Sequence, residues 1–226
     1  MGAPFAPWSL QGESIVALVR WRGRPPVPAP LGPMPGPCLV AATRFTASPV
    51  GPYLELAVAQ PARLGARPGW CVTVSVVDHP DARAGGRLNW GFPREMGRLR
   101  WRVRGDDREL IWDERDVVVR GRPRGLAVPF ATPLRALQRR GDGPVLVPGR
   151  FGGRLRSARV EVHAYPGDVL AGLAGRHPGA VMSSVHLVTH EARTPAGLVA
   201  ALRAPQRAPE PALVSEAPAR AYSSAG

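Results

Sequence analysis

Gly85-Gly86-Arg87-Leu88-Asn89-Trp90-Gly91-Phe92-Pro93-Arg94-Glu95-Met96-Gly97 is the stretch on which the reading of this chain turns. Pro93 fixes its own φ and drives Phe92 towards an extended conformation, so Arg94 and Glu95 leave a stiff corner in a set direction. From spacing alone the segment reads either as an aromatic-Pro turn with a surface ion pair or as a corner that aims charge at a site.

Just downstream, residues 98–104 alternate arginine with Leu99, Trp101 and Val103 at period 2, the mark of a strand with one wet and one buried face. Gly105-Asp106-Asp107 turns the chain, and 109–112 returns as the hairpin partner. Asp113, Glu114 and Asp116 are placed to offset part of the arginine row. Upstream, 13–21 reads as a first strand with apolar side chains pointing both ways, as expected under cover on both faces. Residues 39–43, 53–59 and 71–77 are further strands. In the last, Cys71, Thr73, Ser75 and Val77 fall on one side and Val72, Val74 and Val76 on the other. Residues 23–37 carry too many prolines for a regular element and read as a stiff connector.

Towards the C-terminus, 126–130, 145–147, 157–163 and 180–189 read as strands. A helix is expected over 132–140, with Thr132 as N-cap and Pro133 at its first position. A brief helix over 168–173 closes at Gly175, and a short one runs from Thr194-Pro195 to about Arg203. Residues 204–226 are an Ala, Pro and Ser tail with little to bury, expected to be disordered. The organisation implied is one domain over 1–203 and a tail over 204–226, with 23–37 as a connector inside the domain.

At 226 residues and 24.1 kDa, one large core is affordable, and 44% hydrophobic content argues that the 26 glycines and 27 prolines punctuate a β protein. All 30 Lys+Arg positions are arginine, which excludes any lysine imine, and the net charge is +13. That charge permits a polyanion partner, but Trp101 points away from its flanking arginines, so the stripe lacks the interleaved aromatics of a nucleic-acid grip. Cys38 and Cys71 make no disulfide framework, and no apolar run approaches a membrane span, so a soluble cytoplasmic protein is expected. His186 and His190 with Glu191 lack a third ligand nearby, and no metal site is expected. No phosphate loop, dinucleotide fingerprint or nucleophile elbow occurs.

The 86–95 segment resembles the active-site run of the acetoacetate decarboxylase family, in which Gly-Arg-Glu leads to an aromatic-Pro step and two consecutive lysines. Gly86, Arg87, Phe92 and Pro93 match; Leu88, Arg94 and Glu95 stand at the glutamate, the Schiff-base lysine and the second lysine. Gly51-Pro52-Tyr53-Leu54-Glu55, Val160-Glu161-Val162-His163 and Ser183-Ser184-Val185-His186 resemble further family segments. A family arginine near the first strand falls near Gln11 or Gly12, so that cation is absent.

The resemblance implies a mainly β fold built on a large antiparallel, barrel-like sheet. It puts Glu55, Arg94 and Glu95 in catalytic positions, with Trp90, Phe92, Tyr53 and His186 around the ligand. No cofactor is expected. Because a guanidinium stays protonated, Arg94 is not a nucleophile, but it can hold a carboxylate or polarise a carbonyl while Glu55 moves a proton. Glu95 either shares that site or neutralises Arg94. The expectation is a pocket for a small oxo- or hydroxy-carboxylate working without an imine, as a lyase or proton-transfer enzyme or as a ligand-binding pseudoenzyme, in a homo-oligomer. A basic nucleic-acid- or polyanion-binding protein and a structural subunit of an oligomer are the other readings.

Overall fold

Apolar side chains on both faces of a strand lead one to expect cover on both sides, but the second half of β1 (Trp8–Val19) is packed on one face only: Ile15, Ala17 and Val19 are buried in a core, while Val16 lines a hollow and Leu18 is 48% exposed. The computed structural model describes residues 2–141 and 143–194. After β1 come β2 (Gly32–Pro33), β3 (Cys38–Ala47), β4 (Tyr53–Leu64) and β5 (Arg67–Val77), then helix α1 (Pro80–Trp90) and the short β6 (Arg94–Met96). The second half holds β7 (Leu99–Arg104), β8 (Asp107–Trp112), β9 (Val117–Pro123), β10 (Val128–Arg140), β11 (Gly143–His163) and β12 (Gly175–Thr189). Among the described residues no helix is long and apolar enough to cross a membrane.

Strand pairing runs β10-β5-β4-β3-β1-β12-β11 and returns to β10, so the main sheet curls into a barrel-like circuit. The joint between β5 and β10 is thin, a single parallel pair, Ala136↔Trp70; the other neighbours in the circuit are antiparallel. β11 serves two sheets' worth of partners. Its first half pairs with β10, its last six residues pair with β9, and the order continues through β8 to β7.

That extension folds over one face of the circuit. Ile15 and Ala17 of β1, Val40 and Ala42 of β3, and Leu56 and Val58 of β4 are buried there in one cluster with Leu99, Leu110, Trp112, Val117 and Val119 of β7 to β9. The opposite rows of the same strands, including Val16, Leu39, Ala41 and Ala57, turn to a hollow inside the circuit. Side-chain alternation at period 2 thus sends one row into a solid core and the next into a cavity.

The arginine stripe is spent on neighbours. Arg98 pairs with Glu114 at 3.0 Å, Arg100 with Asp113, Arg102 with Glu109 at 3.8 Å, Arg120 with Glu109, and Arg122 with Asp107 at 3.2 Å. Each exposed pair is worth little, about 0–1 kcal/mol, but together they neutralise a face that would otherwise repel itself.

Several expectations need correction. The 132–140 segment is not a helix but the second half of β10. Pro129 and Pro133 suit it because the first half of β10 has no partner on its outer edge, where a missing N–H breaks no ladder. The two strands expected at 145–147 and 157–163 are one strand, β11, continuous through its glycines. A helix absent from the sequence reading, α1, stands before the Pro93 corner. Of the 168–173 helix only a short 3-10 turn, Ala171–Leu173, is present. The helix expected to reach Arg203 and the 204–226 tail lie outside the described residues.

A core substitution tests which face is packed. Leu56→Ala is expected to lower unfolding free energy by about 2–5 kcal/mol in a urea titration, whereas Arg100→Ala on the paired surface should cost under about 1 kcal/mol.

Candidate functional site

α1 is a helix its own sequence disguises. His79 caps it by accepting from the Asp81 N–H at 3.2 Å, Pro80 opens it, and Gly91 closes it in the left-handed region at φ 72. Gly85 and Gly86 each cost about 1 kcal/mol against alanine in a helix interior, and the packing explains their presence. A Cβ on Gly85 would come within 2.4 Å of the Trp8 ring, and one on Gly86 within 2.3 Å of the Arg94 side chain. The pair of glycines lets α1 press flat onto the residues it must touch.

Past Gly91 the corner delivers β6, which pairs in parallel with the end of β5, Ser75↔Arg94 and Val76↔Glu95. Period 2 then sorts the two charges. Arg94 turns inward and is 4% exposed, while Glu95 turns outward into solvent.

The Arg94 guanidinium donates from Nη2 to Glu55 Oε2 at 2.8 Å and from Nη1 to the Ala82 carbonyl at 2.7 Å. Ser75 Oγ donates to the other Glu55 oxygen at 2.9 Å. Glu55 reaches this point from β4, where its cross-strand partner is Thr43. A bulge in the β4–β5 ladder between the pairs Val58↔Val74 and Ala59↔Val72 shifts the alternation of β5, so that Val72 and Ser75 both fall on the Glu55 side. The guanidinium carbon lies 5.7 Å from the Phe92 ring centroid and 5.8 Å from that of Tyr53, within cation–π range. Arg94 Nε and the Tyr53 hydroxyl are buried without a hydrogen-bond partner.

Burial alone would lower the Arg94 pKa, but the Glu55 carboxylate and then Tyr53 outweigh it and hold the guanidinium above its ordinary value. Burial pushes the Tyr53 hydroxyl up, against the opposing pull of Arg94, so it stays a neutral phenol at neutral pH.

Arg94 and Glu55 form part of the wall of a cavity of ≈ 410 Å³. Trp8, Trp90 and Phe92 close the same end: Trp8 meets Trp90 edge-on at 5.1 Å, Trp90 meets Phe92 at 5.6 Å, and the Trp90 indole donates to the His190 carbonyl at 2.8 Å. Of the positions singled out from sequence, Glu55, Arg94, Trp90 and Phe92 converge on this cavity. Tyr53 packs behind the pair against Phe45, at 4.9 Å between centroids, and is not in the lining. His186 lies on the outside of β12, exposed and 3.0 Å from Ser9 Oγ, and Glu95 is in solvent. The partner that neutralises Arg94 is therefore Glu55 and not Glu95.

Thr43 and the Ala82 carbonyl were not singled out from sequence, because a main-chain acceptor and a small polar residue carry no motif, and Ser75 was marked only as one of the small semi-polar row of β5 that could line a cavity or pair with a neighbouring sheet. A further signal was the Gly85-Gly86 pair, whose lack of side chains marks a close approach. Among the described residues no group of three or more His, Cys, Asp or Glu side chains is placed to hold a metal ion.

Removing one partner of a buried pair strands the other. Arg94→Met is expected to cost about 3–5 kcal/mol in denaturant unfolding, and the double variant Glu55→Gln/Arg94→Met should recover most of that loss. A double variant no more stable than Arg94→Met would contradict the pairing.

The family model described as acetoacetate decarboxylase (ADC) matches residues 24–120, which include both Glu55 and Arg94. No curated protein matches the chain. Among solved structures, the enduracididine biosynthesis enzyme MppR complexed with pyruvate is similar at a TM-score of 0.66 and 16% identity, over 84% of this chain and 91% of that one. An acetoacetate decarboxylase from Legionella pneumophila subsp. pneumophila str. Philadelphia 1 is similar at 0.59 and 18% identity, over 87% and 90%. An acetoacetate decarboxylase-like enzyme from Sphingomonas wittichii RW1 is similar at 0.54 and 16%, over 84% and 91%.

Proposed function

We propose that this chain is an acetoacetate decarboxylase-like protein whose cavity takes a small oxo- or hydroxy-carboxylate and works on it without a lysine imine. The observation that carries this reading is the charge of the wall. Arg94, Arg135 and Glu55 are the charged residues of the lining, which thus holds a net charge of +1 and suits a monoanion.

Arg94 Nε is shut against Gly86 of α1, so Arg94 acts on a ligand through the charge its guanidinium brings to the cavity wall. That charge polarises an oxo or hydroxyl oxygen of the ligand as enolate charge develops. The ligand carboxylate lies towards Arg135, which is exposed and free to meet it. Glu55, held by Ser75 and Arg94, is the group within the wall that can accept a proton from carbon next to the oxo group. The reaction class is proton transfer next to a carbonyl, or a lyase step built on it. With no lysine in the sequence, no side-chain amine is available to attack the carbonyl. The pyruvate in MppR supports this ligand class. The pairing of Arg98, Arg100, Arg102, Arg120 and Arg122 with carboxylates favours it over a polyanion.

Titration with 2-oxo acids, followed by calorimetry and by deuterium exchange in proton NMR, tests this reading. Saturable binding is expected, with affinity falling about tenfold in Arg135→Ala and Tm unchanged because that side chain is exposed. Exchange of the protons beside the oxo group should disappear in Glu55→Gln/Arg94→Met. Absence of binding by every 2-oxo and 2-hydroxy acid would remove the proposal.

A further inference from the structure

We infer that the acid taken by this cavity carries a bulky apolar substituent of the aryl or branched-alkyl class beside its oxo-acid head. This rests on the acid-binding reading above and adds what the rest of the hollow is for. At ≈ 410 Å³ the cavity falls within the range of about 300–1,000 Å³ that encloses drug-sized ligands. At about 30 Å³ per water it has room for on the order of a dozen waters. A three-carbon acid displaces only a few of them.

The chemistry of the wall points the same way. Its polar side chains are Thr43, Glu55, Arg94, Thr132, Arg135 and Thr189, and all the others are aliphatic or aromatic. Water against such a wall is released most favourably by an apolar occupant.

The hollow also has an identifiable cause. On the packed face of β3 and β4 stand Val40, Leu56 and Val58, whereas Ala41 and Ala57 face the cavity as cross-strand partners, with Ala59 opposite Leu39. Thr43↔Glu55 is the next pair of that row, so the alanine floor starts beside the carboxylate. Residues two apart on a strand are about 7 Å apart, the reach of a benzyl group from its carbonyl. Phe130, Phe151 and Leu155, from β10 and β11, supply further apolar wall around this space. The exposed Phe130 and Arg135 form its rim, on a half of β10 that β5 leaves unpaired. A substituent lying on Ala57 is thereby enclosed without moving Arg94 or Glu55.

Isothermal titration at pH 7 with 3-phenylpyruvate, pyruvate and the neutral 3-phenylpropanol tests the inference on the intact chain. Phenylpyruvate is expected to bind at least about tenfold more tightly than pyruvate, the discrimination an apolar pocket gives. Ala57→Leu, which fills the floor, should erase that margin. Ala57→Val is the smaller filling to use if the leucine variant fails to melt cooperatively. Pyruvate binding as tightly as phenylpyruvate overturns the inference and leaves the acid site standing. Phenylpropanol binding with neither acid bound, or silence from all three, overturns the acid site and the inference with it.

Discussion

The rest of the molecule is arranged around one buried ion pair. A guanidinium out of water is tolerable only if its charge and donors are met, and Arg94 meets them with Glu55 from β4 and a helix carbonyl from α1. That requirement fixes where α1 lies and forbids a side chain at Gly86. It also gives β6 its task as the shortest element able to hand Arg94 inward and Glu95 outward. Cation–π contact with Phe92 and Tyr53 completes the enclosure.

Around that pair, the main sheet uses its two faces for opposite ends. One face is filled by β7 to β9 and supplies the burial that holds the fold; the other is left hollow by small side chains and by the thin joint between β5 and β10. Packed core and open cavity are thus divided between alternate residues of the same strands, for example Leu56 and Ala57. The division breaks down only at the ion pair, where the groups suited to chemistry also hold α1 in place. Such sites trade stability against function, since any change to one charge is felt by the scaffold.

The arginine-only composition bears differently on surface and interior. On β7 to β9 arginine serves as a solvated partner for carboxylates, a role in which lysine would do nearly as well. At position 94 it does not interchange, because a planar fork that bonds a carboxylate and a carbonyl at once has no counterpart in a single ammonium.

Much of this was legible along the chain. Period-2 alternation at 98–104 and apolar runs such as 13–21 carry strand identity in the residues themselves, and the motif around Pro93 with the segment at Glu55 marked both halves of the ion pair. What misled was local signal that tertiary pairing overrode. Thr132-Pro133 resembles a helix start, yet β11 recruits it as a strand, and Gly85-Gly86 carries no helix signal, yet Trp8 and Arg94 need that bareness inside a helix. The exposure of His186 and Glu95, the place of Tyr53 behind the pair, and the hollow above Ala57 depend on how the sheet curls. The sequence alone determined which residues have strand or charge character, because those are properties of side chains. Tertiary structure alone decided which face of each strand is filled and which is empty, because that depends on strands far apart in sequence closing on one another.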